Sequence, residues 1–287
     1  MLQLGTLLAL ACALATNVAM LCKHRGAVAA PEVRLSQPLR SGAALFRSRW
    51  WTIGFGIALG AWALHVAALA VAPISLVETT ISGGLVLLAW FGQRWFGVRV
   101  GPREWLGLGL CALGLGLLAV TSVDSGANHA SYSTAAMVSF EVGAVGLGAA
   151  LLLSGSRSAV GRSSGVLLGV AAGLLLGVAN VSVKALTGTV PGDFVTILSP
   201  WTFMAIAAGV GAFFGLARGL QTGEAIPVIA LTSVAANCAS ILGGILVFGD
   251  PVGNDPLAVV ARCVAFAAVI AAVALMPAPR RAARALA

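Results

Sequence analysis

The sequence predicts an all-α membrane protein with several spanning helices. Of its 287 residues, 59% are hydrophobic and only 9% are charged, and the mean hydropathy is +1.00. Soluble domains carry about 25% charged residues, so this composition excludes an ordinary soluble protein. Apolar runs of about 20 residues, the length of a spanning helix, recur along most of the chain. The 36 glycines suit helices that approach one another closely in lipid.

Nine apolar segments separate at charged or Pro/Gly-rich breaks, and each predicts one spanning helix. Their ranges are 4–22, 52–72, 74–94, 104–122, 133–153, 165–187, 195–217, 225–247 and 257–276. The short break at Pro73 predicts a tight hairpin between the second and third helices. No positive charge precedes the first segment, so we predict a retained span with its N-terminus outside rather than a signal peptide.

Basic residues alternate from one connection to the next, which predicts the topology. Alternate connections and the C-terminal tail carry 15 of the 17 basic residues: Lys23, Arg25, Arg34, Arg40, Arg47, Arg49, Arg94, Arg99, Arg103, Arg157, Arg162, Arg218, Arg280, Arg281 and Arg284. The intervening connections carry Asp124, Asp193, Asp250 and Asp255 and no Arg. Because basic loops stay in the cytoplasm, we predict nine spans with the C-terminus inside. Basic loops also account for the net charge of +8, so no nucleic-acid partner is expected.

Similar stretches in the two halves predict an internal repeat. "FGVRVG" at 96–101 recurs as "FGDPVG" at 248–253, and "LLALACALATNVAMLCK" at 7–23 is similar to "LGVAAGLLLGVANVSVK" at 168–184. We divide the single transmembrane domain into a first repeat (1–122), a linker helix (123–164) and a second repeat (165–287). One unpaired helix between four-helix units gives an inverted 4+1+4 repeat. Secondary transporters use this architecture, with a site near the membrane midplane.

Two stretches carry a family resemblance. "ALHVAALAVAPISLVETTISGGLVLLAWFGQRWFGVRVGPREWLGLGLCALGLGLLAV" at 63–120 resembles the EamA-like repeat unit of the drug/metabolite transporter (DMT) superfamily. "GEAIPVIALTSVAANCASILGGILVFGDPVG" at 223–253 is similar to the NIPA-like magnesium transporter group. The resemblance implies a transport protein. It also implies that the first repeat lacks its second helix, since ten-span relatives have a helix where this chain has a basic loop, 23–50.

Ionisable and amide side chains inside predicted spans are the candidate translocation residues, because such groups are expensive in lipid and usually face a cavity or a partner. They are Glu78, Glu141, Lys184, Arg262, His65, Asn180 and Asn237. Each also has a structural interpretation. Glu78 and Arg262 form a fixed ion pair in that alternative, Lys184 reaches to the interface, and His65 is a satisfied core residue. The two amides then bond neighbouring helices.

No motif predicts an enzyme, a cofactor or a metal centre. The sequence contains no P-loop, no H-E-x-x-H and no Ser/His/Asp pattern. The five cysteines lie in or beside apolar runs without a CxxC pair, which predicts packing residues.

The pattern favours a secondary transporter or facilitator of a small solute that works by alternating access in the plasma membrane, here of a bacterial cell. A coupled proton would be carried by Glu141 or His65. One alternative is a divalent-cation transporter with Glu78, Glu141 and the aspartates of the outer loops as oxygen ligands, although Arg262 and Lys184 would repel a cation. The other alternative is a non-transporting membrane accessory protein. The substrate, its direction of transport and the oligomeric state stay open.

Overall fold

A computed structural model describes residues 2–34, 37–71, 74–96, 100–121, 132–157, 162–187, 198–249 and 256–275. These ranges are helical apart from short connections and contain no strand. The helices are α1 (Leu2–Ala29), α2 (Pro38–Arg47), α3 (Arg49–Val71), α4 (Ile74–Phe96), α5 (Pro102–Thr121), α6 (Thr134–Arg157), α7 (Arg162–Thr187), α8 (Pro200–Thr222), α9 (Ala225–Phe248) and α10 (Pro256–Leu275). We call α1–α5 the first unit and α7–α10 the second unit.

The prediction of an all-helical membrane protein is confirmed. Each of the nine predicted segments overlaps one long helix within the described ranges. By length and hydropathy, five helices in this part of the chain are candidate membrane spans, namely α1, α6, α7, α8 and α9. The nine-span topology itself stays a prediction.

Two helix boundaries differ from the predicted ones. The region predicted as a basic loop, 23–50, contains the end of α1 and the whole of α2. Helix α2 has Pro38 in its first turn and buries Ser41 and Leu45, so it is a short amphipathic helix without the apolar run of a span. Helix α8 begins five residues later than expected, because Pro200 occupies its first turn, and Arg218 lies within the helix rather than in a loop.

In the first unit, α1 packs between α3 and α4. Ala9 clusters with Ala68 near one end of the α1–α3 pair, and a Cβ on Gly26 would collide with Trp51 near the other end, so these helices are antiparallel. Helices α1 and α4 run in the same direction, since the cluster of Ala9 also includes Ile81 and contacts to Gly84 follow further along α1.

In the second unit, α7 takes the place that α1 has in the first. Helix α8 runs antiparallel to α7, because Gly165 meets Gly223 near one end of the pair and Leu175 meets Gly211 further along. Helix α9 runs parallel to α7, with contacts advancing together along both helices. Helix α6 packs against the remaining side of α7.

The two units meet through several helices. Helix α5 packs against α10, α8 contacts α1, and α9 contacts α4 and α5. The C-terminal ends of α1 and α8 lie together, because Gln221 near the end of α8 bonds to the carbonyl of Ala27 near the end of α1. Since α8 is antiparallel to α7, helices α1 and α7 point in opposite directions.

Candidate translocation site

Helix α7 is the centre of the candidate site because three helices pack around it. Glycines recur on it at every fourth residue, at Gly165, Gly169, Gly173 and Gly177. Residues four apart share one face of a helix, so these positions form a single stripe. A Cβ on Gly173 or Gly177 would overlap atoms of α9. The small residues thus allow α7 and α9 to approach closely, as in other membrane helix pairs.

Asn180 and Ser240 form a polar contact between α7 and α9. Asn180 Nδ2 donates to Ser240 Oγ at 3.2 Å, and Asn180 is exposed. Asn237 lies three residues before Ser240, on a neighbouring position of α9, and is also exposed. We call Asn180, Asn237 and Ser240 the amide face. It offers hydrogen-bond donors and acceptors near the middle of α9 without a fixed charge.

The amide face lies on the side of α7 that is turned away from α6. Asn180 lies about 200° around α7 from Ser182, which contacts α6. The side of α7 that carries Asn180 is therefore turned away from α6, between α8 and α9. Both of those helices contact the first unit. Side chains on this side of α7 lie between two helices that both contact the first unit.

Glu141 is buried between α6 and α7, with 2% of its surface exposed. Ser182 Oγ lies 2.6 Å from Glu141 Oε1 and 2.9 Å from the carbonyl oxygen of Val178. A serine hydroxyl has one proton to donate, so it satisfies only one of these oxygens as a donor. With a protonated carboxyl, Glu141 donates to Ser182 and Ser182 donates to Val178. The two short contacts of Ser182 then each have a proton of their own, so the geometry fits a neutral carboxyl.

The surroundings of Glu141 are apolar. Residues Met137, Val181, Ala185, Val247 and Phe248 form a buried cluster at this end of α6, α7 and α9. Within the part of the chain that the structure describes, no Lys or Arg forms an ion pair with Glu141. A charged carboxylate there would rely on one hydroxyl for its stabilisation, which again fits the neutral form.

Lys184 lies above the same apolar cluster. Its Nζ is 4.4 Å from the centre of the Phe248 ring, a cation–π contact. Tyr132 and Trp201 complete the aromatic group, and Trp201 Nε1 donates to Tyr132 Oη at 2.6 Å. The structure thus brings Lys184 and Glu141 to the same end of the bundle. Lys184 contacts the ring of Phe248, whereas Glu141 is buried against Ser182.

The remaining predicted site residues lie elsewhere. Arg262 on α10 is buried, and its Nη2 donates to the carbonyl oxygen of Thr121 at the end of α5. His65 is half-buried on α3, in the first unit. Glu78 belongs to α4, but its side chain lies outside the described residues. The predicted ion pair between Glu78 and Arg262 therefore stays a prediction.

A second polar cluster joins the units at the end of the bundle where α1 and α8 finish. Gln221 on α8 donates to the carbonyl oxygens of Ala27 and Pro31 at 2.9 and 3.0 Å, and its Oε1 accepts from the Val33 amide at 2.9 Å. Arg218 forms an ion pair with Glu32 at 2.7 Å. We call Glu32, Arg218 and Gln221 the α1–α8 clamp.

Sequence reasoning missed the clamp and both serine partners. Gln221 falls just beyond the predicted 195–217 segment, and Glu32 falls in the predicted loop. Ser182 and Ser240 are hydroxyl residues inside apolar runs, and one signal was present, since each lies two or three residues from a predicted amide. Among the described residues, no group of three or more His, Cys, Asp or Glu residues could hold a metal ion.

The comparisons with known proteins point to transport. The chain is 23% identical over 265 residues to an Arabidopsis thaliana protein described as "Probable magnesium transporter NIPA9", covering 87% of this chain and 74% of the plant protein. No family model matches the chain. No solved structure matches it either. The chain is thus a multi-pass helical membrane protein with a weak similarity to a transporter.

Proposed function

We propose that the protein is a secondary transporter or facilitator of a small polar solute that works by alternating access between two inverted repeats. The single observation that carries this proposal is the amide face, which is exposed, uncharged and turned away from the linker helix α6. Exposed amides within a lipid-embedded helix are costly unless water or solute reaches them. A path for a polar solute supplies that contact.

The helix directions support the repeat architecture. Within each unit, a first helix packs against an antiparallel second and a parallel third, and these first helices, α1 and α7, point in opposite directions. Helices α5 and α10, the fourth in each proposed repeat, pack against each other. This arrangement fits nine spans in a 4+1+4 order, with the basic connections in the cytoplasm. Location in the plasma membrane and a bacterial origin stay predictions.

The α1–α8 clamp supplies the closure that alternating access needs. It joins the units at the end of the bundle that we place in the cytoplasm, while the amide face lies nearer the middle. In this conformation these contacts hold α8 against the C-terminal end of α1 and Glu32. Transport then requires the Glu32–Arg218 and Gln221 contacts to open during each cycle, a rocking motion of the type described for inverted repeats.

A magnesium ion is the second candidate substrate, favoured by the similarity to the plant protein described as a magnesium transporter. Magnesium gives up its water reluctantly and binds through few protein carboxylates. Amide and hydroxyl oxygens such as those of the amide face can hydrogen-bond a hydrated ion. The cation would pass as a hydrated species rather than in a cage of carboxylates.

Reconstitution into proteoliposomes tests both substrates. One set of vesicles contains a magnesium-sensitive dye, and another is screened against amines, sugars and amino acids. We expect wild-type vesicles to accumulate at least one of these solutes faster than empty vesicles. The double variant Asn180→Ala/Asn237→Ala should reduce that rate at least tenfold.

Ser139→Ala is the matched control, because Ser139 is an exposed hydroxyl residue on α6, away from the amide face. Equal rates for the control and wild type are expected. Full transport by the double variant would show that the solute avoids the amide face. Movement of none of the tested solutes by the folded wild type would favour the accessory-protein alternative.

A further inference from the structure

Helix α2 has three distinct faces. Ser41 and Leu45 are buried against the bundle. At about 100° per residue, Arg40 and Arg47 share a second face, far from the buried one. Leu39 lies on a third face, between the buried face and the basic face, and is 88% exposed. An apolar face beside a basic face is typical of helices that lie in a membrane interface.

The position of α2 fits such an interface. It lies between the end of α1 and the start of α3, and its ten residues span about 15 Å, too short to cross a bilayer. Ser48 has an extended backbone, so the chain turns between α2 and α3. The Ser41 hydroxyl bonds to the Arg34 backbone at 3.0 and 3.1 Å, which holds α2 against the end of the bundle.

Aromatic anchors continue the apolar face. Phe46 is partly exposed and packs on Phe55 and Phe213, with ring centroids 5.3 and 6.2 Å apart. Trp50, at the start of α3, is partly exposed and lies under the Arg25 guanidinium at 4.3 Å. Tryptophan is enriched where the apolar core of a bilayer meets its headgroups. This composition favours headgroup depth for the face.

The arginines of α2 have no counter-ion among the residues that the structure describes. In the described ranges, neither Arg40 nor Arg47 forms an ion pair, and the nearby acid Glu32 is engaged by Arg218 and Arg34. Two unneutralised arginines beside an exposed leucine at headgroup depth are complementary to an anionic lipid surface. Each basic residue near such a surface strengthens binding severalfold.

We propose that α2 is a lipid-binding surface, on which Arg40 and Arg47 bind anionic phospholipid headgroups while Leu39 and Phe46 enter the adjoining acyl region. This role is independent of the proposed transport function. It assigns a partner to the one short helix that does not span the membrane among the described residues. It also links lipid composition to residues 30–34, which the α1–α8 clamp holds against α8.

Lipid binding to the full-length protein in a neutral detergent tests the proposal. The probes are fluorescent phosphatidylglycerol and phosphatidylcholine, each titrated at low and high salt. We expect the wild type to prefer phosphatidylglycerol, with a preference that weakens as salt rises. Arg40→Gln/Arg47→Gln should weaken phosphatidylglycerol binding roughly 30-fold and leave phosphatidylcholine binding unchanged. Arg40→Lys/Arg47→Lys should retain the preference, because the charge is kept.

Arg94→Gln/Arg157→Gln is the matched control, since both arginines are exposed in the last turns of long helices outside α2. It should bind both lipids like the wild type. Leu39→Ser should weaken the binding of both lipids equally and keep the preference for phosphatidylglycerol. This variant tests the apolar face even if a charge variant folds poorly.

Four results would overturn the proposal. The first is unchanged phosphatidylglycerol binding by Arg40→Gln/Arg47→Gln, and the second is an equal loss in the Arg94→Gln/Arg157→Gln control. The third is competition by free glycerol phosphate at the same concentration as the lipid, which would indicate a small-anion site. The fourth is a Leu39→Ser protein that changes from dimer to monomer by light scattering, which would make α2 a contact between two copies.

Discussion

Two polar contacts lie on opposite sides of α7, and they differ in what surrounds them. The Ser182–Glu141 contact is buried against the linker helix α6 in an apolar cluster. The Asn180–Ser240 contact is exposed and lies between α7 and α9, away from α6. The residues are only two positions apart along α7, so depth in the membrane is almost the same. What separates them is the angle around the helix.

We propose different chemistry for the two sides of α7. A buried carboxyl with one hydroxyl partner can hold or release a proton without touching a solute. An exposed amide can recognise a solute directly. We therefore place solute recognition at the amide face and keep Glu141 as the candidate for proton coupling.

The largest expected effect comes from separating α7 and α9. Gly177 lies three residues before Asn180 on α7, and a Cβ there would overlap Ala239. Gly177→Leu should therefore force the helices apart and destabilise the protein by about 3 kcal/mol or more. Size-exclusion chromatography after heating would show the loss. Gly143→Leu is the control, since nothing lies within 4 Å of a Cβ at that position of α6, and equal melting of both variants would contradict the close α7–α9 crossing.

A smaller effect is expected at the buried contact. Ser182→Ala removes the partner of Glu141 and should lower the free energy of unfolding by about 1–3 kcal/mol. Glu141→Gln keeps a side-chain amide that can donate to Ser182, so its stability should stay within about 1 kcal/mol of the wild type. Thermal melting of the purified variants gives both values.

Transport by Glu141→Gln separates a proton role from a packing role. If Glu141 carries the coupled proton, the variant keeps its fold and transport becomes insensitive to pH. A stability loss of about 3–5 kcal/mol in this variant would instead reveal a buried cation left without its partner, contradicting the neutral carboxyl. Unchanged stability together with an unchanged pH profile would remove Glu141 from the coupling step.

The smallest effect on stability is expected at the amide face. Asn180→Ala, Ser240→Ala and the double variant form a cycle whose coupling energy should be about 0.6 kcal/mol, the average for hydrogen bonds between membrane helices. Thermal melting of all three variants measures it. A coupling energy of several kcal/mol would indicate that Asn180 is a structural residue. It would contradict the proposal that the Asn180–Ser240 contact serves solute recognition.

Composition and charge pattern were sufficient to predict a helical membrane protein. A segment that crosses lipid must be long and apolar, and its backbone hydrogen bonds must form within the segment itself. The segments 225–247 and 74–94 match α9 and α4 to within two residues at each end. Helix α2 was missed because its burial involves only one side of a ten-residue segment, a pattern too short and too polar to separate from a basic loop. Helix α8 also ends at Thr222 rather than at the predicted residue 217, because Arg218, interpreted as a loop residue, lies within the helix.

The sequence by itself determined which residues are polar inside the membrane and how far along each helix they lie. Glu141, Asn180, Asn237, Lys184 and Arg262 were all identified in this way. Only the tertiary structure decided which side of the helix each one faces and which partner it meets, because that depends on how neighbouring helices pack. Ser182 beside Glu141 and Gln221 beside the end of α1 are contacts between segments 41 and 194 residues apart, and no local pattern encodes such distances.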